Sequence, residues 1–166
     1  RTMTTWEERI DEVWAAAANE VVDDVVIARI DALAAERGQD DARAEFERAG
    51  ARDSAGRPLE AIPLYRRALE LGLDAEHEPQ AIIQLASSLR NVGETGEALS
   101  LLERANTDAP GSPYRDAVAA FHALALASSG APYRALSVAL LALVPHLPRY
   151  HRSMTAYARE IGERDT

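Results

Sequence analysis

Apolar positions return every three or four residues along most of the chain. In residues 81–93, Ile82, Leu85, Ala86 and Leu89 recur at i, i+3, i+4 and i+7, which is one face of an α-helix. Gly93 closes that run, because glycine takes the left-handed helix-ending turn without steric cost. A second stripe follows at Ala98, Leu101, Leu102 and Ala105, and Asp108-Ala109-Pro110-Gly111 stops it. The pattern predicts a helix, a tight turn and a second helix.

The unit recurs. Gly56, Gly93 and Gly130 are spaced by 37 residues. Three alanine columns keep step with them: Ala49, Ala86 and Ala123 before the glycine, then Ala61, Ala98 and Ala135, then Ala68, Ala105 and Ala142. A fixed period of this length predicts a stacked helical array. Alanine in these columns lets paired helix axes come to the short end of the usual range, about 8 Å. Pro58 and Pro132 both stand two residues after the turn glycine, where a helix tolerates proline at its first position. Thr95 takes that place in the middle repeat. Pro63 falls inside a second helix and removes a hydrogen bond to the Leu59 carbonyl, which predicts a kink.

Before the repeats, Thr5-Trp6-Glu7-Glu8 reads as a capping box. Trp6, Ile10, Val13, Trp14, Ala17 and Val21 continue as an apolar helical stripe. Residues 21–27 are rich in β-branched side chains and suit a strand by propensity, but their helical surroundings favour helix. One helix or two over residues 5–36 is left open by the pattern, and Gly38-Gln39-Asp40 ends the segment. The Trp6/Trp14 stripe either packs over the first repeat or forms a homodimer contact; packing within the chain is the preferred reading.

This organisation resembles the tetratricopeptide repeat family: antiparallel helix pairs with small residues at fixed places, a turn glycine, an aromatic on the second helix and often a closing proline. Tyr65 fills the aromatic place in the first repeat and Pro110 the closing place in the second. The run DSAGRPLEAIPLYRRALELGL, followed by QLASSLRNVG, is similar to the group 5 subgroup, familiar from actinobacteria. The resemblance implies an all-α fold, a right-handed α-α superhelix in a single domain, 1–166. It would hold three repeats at 42–78, 79–115 and 116–150, an N-terminal helical segment at 5–37 and a capping helix at 151–162. The departures are a period of 37 where the family has about 34, Leu102 and Ala139 at the aromatic place, and Ala119 where a large residue is usual.

Composition narrows the function. The 166 residues are 47% hydrophobic with no cysteine, so thiolate metal sites, disulfides and cysteine nucleophiles are excluded. All 18 basic residues are arginine, which fits a GC-rich, bacterial coding bias. The net charge of −9 makes nucleic acid and anionic membrane poor electrostatic partners. The charge is uneven: residues 1–48 carry a net −7 and residues 130–166 a net +2. No run of about 18 apolar residues and no basic-then-apolar leader is visible, so a cytoplasmic location is expected. Arg1 and Thr2 precede Met3, and the sequence leaves open whether they are native.

No catalytic constellation stands out, and no cofactor or metal site is predicted. His77, His122, His146 and His151 are scattered; the last two flank Pro148 and lack the i, i+4 geometry of paired helical ligands. Asp23-Asp24 and Asp40-Asp41 read as solvated faces. Gly93-Glu94-Thr95-Gly96 is a turn with no GK[ST] after it.

The resemblance instead implies a scaffold that binds a protein or peptide segment in a groove lined by the first helices. By position those residues are Arg43, Phe46, Glu47, Gly50 and Asp53, then Gln80, Ile83, Gln84, Ser87, Arg90 and Asn91. Ala117, Ala120, Phe121, Leu124 and Ala127 follow, with Arg152, Thr155 and Arg159 from the cap. Phe46, Asp53, Gln80, Gln84, Ser87, Arg90, Asn91, Phe121, Leu124, Arg152 and Arg159 are the expected binding set. The family's clamp for peptide C-termini lacks its basic and asparagine groups at Gly50, Gln84 and Ser87, so that specificity is not expected. A self-associating module built on Trp6 and Trp14 is the alternative, and a carboxylate metal enzyme is less favoured.

Overall fold

The computed structural model describes residues 4–19, 22–108 and 111–166, without the side chains of 107 and 108. Arg1, Thr2, Met3, Val21, Ala109 and the expected closing Pro110 lie outside the described residues. The described chain is helical and holds no strand. In order the helices are α1 (Trp6–Ala17), α2 (Asp23–Ala35), α3 (Ala42–Ser54), α4 (Pro58–Leu71) and α5 (His77–Asn91). They continue with α6 (Thr95–Asp108), α7 (Arg115–Ser128), α8 (Pro132–Leu143) and α9 (His151–Gly162). Short 3-10 turns follow at Val144–His146 and Glu163–Asp165. Contacts gather into two compact units, Arg1–Gln84 and Leu85–Thr166.

The three turn glycines behave as their spacing predicts. Gly56, Gly93 and Gly130 take φ of 70°, 90° and 89°, a region costly for any side chain with a Cβ. Each turn closes with the same bond five residues back: Arg57 N–H to Arg52 O, Glu94 to Leu89, and Ala131 to Leu126, at 2.9, 2.9 and 3.0 Å. This is the paired-bond helix ending that uses otherwise unbonded carbonyls. Pro58 and Pro132 start α4 and α8 as expected. Pro63 is exposed, and α4 runs unbroken through it. A solvent-facing site lets water take up the carbonyl that proline leaves unbonded.

In the first unit α1 packs on α2, α2 on α3, and α3 on α4. The N-terminal segment is therefore two helices, and its β-branched stretch is helical from Asp23. The capping box forms: Glu8 N–H donates to Thr5 Oγ1 at 3.1 Å, and Thr5 N–H to Glu8 Oε2 at 2.7 Å. Ile10, Val26, Ile30 and Ala51 make a buried cluster, with Trp6, Val13 and Trp14 packed against it. Trp6 Nε1 donates to the Leu33 carbonyl at 2.8 Å, tying the start of α1 to the end of α2. α1 begins 36 residues before α3, so this antiparallel pair has the spacing of a further repeat.

In the second unit α6 packs on α7, α7 on α8, and α8 on α9. Of the alanine columns, Ala49, Ala61, Ala68, Ala86, Ala98 and Ala135 are buried, whereas Ala105, Ala123 and Ala142 are half-buried. Ala139, at the aromatic place, is exposed. A Cβ on Gly162 would come within 2.9 Å of the Ser137 side chain, so α9 approaches α8 closely there.

Candidate functional site

The first-unit residues expected to line a groove are mostly engaged by the protein itself. Phe46 is 6% exposed and packs by its ring against Tyr65 and His77, with centroids 6.2 and 5.6 Å apart. Its side chain belongs to the core, as does that of Ile83. Glu47 is 4% exposed and accepts from Trp14 Nε1 at 2.7 Å and from Arg43 Nε at 2.8 Å. Gly50 faces the Trp14 ring, which would lie 3.5 Å from an added Cβ. Trp14 thus occupies this part of α3, which sequence position alone had assigned to a ligand.

Tyr65 explains two further members. Its ring is fully buried, and its hydroxyl reaches both Asp53 Oδ2 at 3.2 Å and Gln84 Oε1 at 2.5 Å. Burial first, and then the charge of Asp53, push the phenol above its ordinary value, so it stays protonated as a donor. Gln80 donates through Nε2 to the Glu76 carbonyl at 3.0 Å. The acid pairs also find uses. Asp24 meets Arg57 at 2.5 Å, Asp40 meets Arg67 at 2.6 Å, and Asp41 caps α3 by accepting from Ala44 N–H.

The second-unit members are more open. Ser87, Arg90 and Phe121 are half-buried, Asn91 is exposed, and Leu124 is 48% exposed. Arg90 Nη1 lies 3.5 Å from Ser128 Oγ, and its Nε is buried without a hydrogen-bond partner. Phe121, Leu124 and Ser128 share one face of α7 by their i, i+3, i+7 spacing. Arg90 therefore joins the end of α5 to that face. Arg152 is exposed on α9.

Arg159 belongs to a different place. It lines an open pocket of about 390 Å³ with His122, Leu126, Arg134, Ser137 and Glu163, between α7, α8 and α9. Sequence reading missed this pocket. Its signals were Ser137 within the apolar run of α8, Arg134 near the start of the same helix and Arg159 on the next. The remaining histidines are separate. His77 Nδ1 meets Asp74 at 2.7 Å, His146 Nε2 meets Asp116 at 2.7 Å, and His151 Nε2 meets the Leu147 carbonyl at 2.6 Å.

Among the described residues no three His, Asp or Glu side chains converge as a metal-binding group would need. None of the described helices is long and apolar enough to cross a membrane. A family model described as Tetratrico peptide repeat matches residues 42–161, from the first residue of α3 into α9. The chain belongs to the tetratricopeptide repeat family. Repeats of this family generally mediate protein–protein interaction, and the family is typically a non-enzymatic interaction module. No curated protein and no solved structure matched the chain. The tetratricopeptide match leaves α1 and α2 outside it, although their spacing follows the repeat.

Proposed function

We propose that this tetratricopeptide repeat protein is a non-catalytic, cytoplasmic adaptor that binds a peptide or protein segment. The surface is formed in the second unit by α5 and α7. One observation carries this reading. An exposed apolar side chain, Leu124, shares a helix face with Phe121 and Ser128, and Arg90 borders it with a buried, unbonded Nε. Apolar contact beside a few oriented polar groups is the usual make-up of a binding surface. The equivalent first-unit residues give weaker support, since Phe46 serves the core and Asp53 and Gln84 hold the Tyr65 hydroxyl. Self-association through Trp6 and Trp14 lacks a favouring observation, because both indole N–H groups are bonded within the chain.

The test compares the full chain with an Arg90→Ala, Phe121→Ala, Leu124→Ala variant. Proteins captured from native lysate are quantified by mass spectrometry for both. A partner reduced at least about tenfold on the variant, a difference of about 1.4 kcal/mol, with unchanged helical circular dichroism, supports the surface. Equal capture of every partner by both proteins refutes it.

A further inference from the structure

The pocket between α7, α8 and α9 has three features that its helices do not need for packing. Arg134 on α8 and Arg159 on α9 line it, and neither guanidinium forms an ion pair among the described residues. Glu163 stands one helical turn after Arg159 on the same rim, yet no ion pair joins them. His122 is only 9% exposed, and its Nε2 is sealed from solvent without a hydrogen-bond partner. The nearest carboxylate oxygen, Glu103 Oε1, is 3.8 Å away, too far for a hydrogen bond. An unbonded buried polar atom on a residue that lines a pocket points to a polar partner from outside the fold.

We propose that this pocket binds a carboxylate group, held by the guanidiniums of Arg134 and Arg159, with the Ser137 hydroxyl and the His122 ring as its polar floor. The guanidinium fork matches a planar carboxylate in two parallel hydrogen bonds. Phosphate dianion fits less well, because Glu103, Glu163 and Asp165 all stand near and repel a double charge more strongly. Asp165 is engaged by the Arg134 backbone N–H at 2.7 Å, which leaves the guanidinium available. Burial, with Arg134 as a further contributor, lowers the His122 pKa against the opposing pull of Glu103. The ring is therefore neutral at pH 7 and presents one donor and one acceptor nitrogen. About 390 Å³ is within the range of small-ligand sites and admits a small organic acid or one acidic side chain. The site lies apart from the α5/α7 surface and does not depend on it.

The full-length protein is titrated with three probes: butyrate, the peptide acetyl-Ala-Glu-Ala-Ala-amide, and inorganic phosphate. The readout is the His122 imidazole NMR signal, assigned by its loss in His122→Gln. Saturable shifts below roughly 10 mM carboxylate are expected. They should weaken about tenfold or more in Arg134→Gln and in Arg159→Gln with unchanged circular dichroism, since each removes a charge-assisted contact. Saturation by butyrate identifies a free acid as the natural ligand. Saturation by the peptide alone identifies an acidic side chain of a partner. Absence of a saturable shift with both carboxylates overturns the proposal, as do shifts unchanged in the two arginine variants. Phosphate binding as tightly as the carboxylates overturns the choice of anion. The Arg90→Ala, Phe121→Ala, Leu124→Ala variant should retain carboxylate binding, so loss of one site is distinguishable from loss of the other.

Discussion

The first unit adds a set of arginine ion pairs between helices to its packed core, and the second, among its described residues, packs without them. Asp31 on α2 receives a two-pronged contact from Arg52 on α3, at 2.9 and 2.8 Å, and a third bond from Arg48. Arg9 meets Glu36 in the same two-pronged way, and Arg37 reaches Glu7 while lying 4.2 Å above the Trp6 ring. Among the described residues no arginine of the second unit forms an ion pair. That unit leaves Leu124, Tyr133, Leu136, Leu143, Tyr150 and Tyr157 exposed. Arginines already paired within a fold have little left to offer a ligand, whereas unpaired arginines beside exposed apolar groups do. The contrast teaches where binding capacity remains after folding, and both functional proposals therefore fall in the second unit.

The largest effect that would break the contrast is at Tyr65. Tyr65→Ala should cost about 3–5 kcal/mol, since it empties a fully buried aromatic site. Tyr65→Phe should cost about 1–2 kcal/mol by leaving Asp53 and Gln84 without their shared donor. Urea unfolding measures both, and a neutral Tyr65→Phe would remove the hydroxyl from the argument. Next, Glu47→Ala should cost about 2–3 kcal/mol, because the Trp14 N–H loses its acceptor in a buried setting. A red shift in tryptophan emission should accompany it; unchanged emission and stability would show that the indole is held by packing alone.

A smaller effect is expected in the second unit. Gly93→Ala meets no neighbouring atom, so only its φ of 90° matters, at about 1–2 kcal/mol. Gly93→Asn should recover part of that loss, because asparagine tolerates the left-handed region better. Equal melting temperatures for the two variants would contradict a backbone origin.

The smallest effect, Asp31→Asn, tests the charged fastening directly. Burial alone would raise the Asp31 pKa, but the bonds and charges of Arg52 and then Arg48 hold it below the ordinary carboxylate value. A lowered folded value means that the contribution is complete above the unfolded pKa and is lost as pH falls through the folded one. At neutral pH the loss should be about 1 kcal/mol or less, given the solvent screening of a partly exposed group. The gap between native and variant stability should close toward acid pH; a gap that stays constant would mean that charge is not the cause.

Much of this was legible because helix turns are local. The glycine spacing, Pro58, Pro132 and the Thr5–Glu8 box each act within a few residues, and each formed as read. The α1/α2 pair was harder to see as part of the series. One period before the turn and alanine positions stand Asn19, Glu12, Asp24 and Asp31, so neither glycine nor alanine marks it. Asp31 there works through Arg48 and Arg52, a pairing between helices that no local pattern announces. Phe46 was legible as an aromatic on a first helix, but not as a neighbour of Tyr65 and His77, which are 19 and 31 residues further along the chain.

By itself the sequence determined the all-helical class, the turn positions and the family, because 3.6-residue periodicity and glycine stereochemistry are properties of short segments. Only the tertiary structure decided which side chains remain free to bind. It seated Trp14 against Glu47 and Gly50, gave Asp53 and Gln84 to Tyr65, and gathered His122, Arg134 and Arg159 around one pocket. Burial and pairing depend on which helices meet, and that is settled by contacts between residues far apart in the chain.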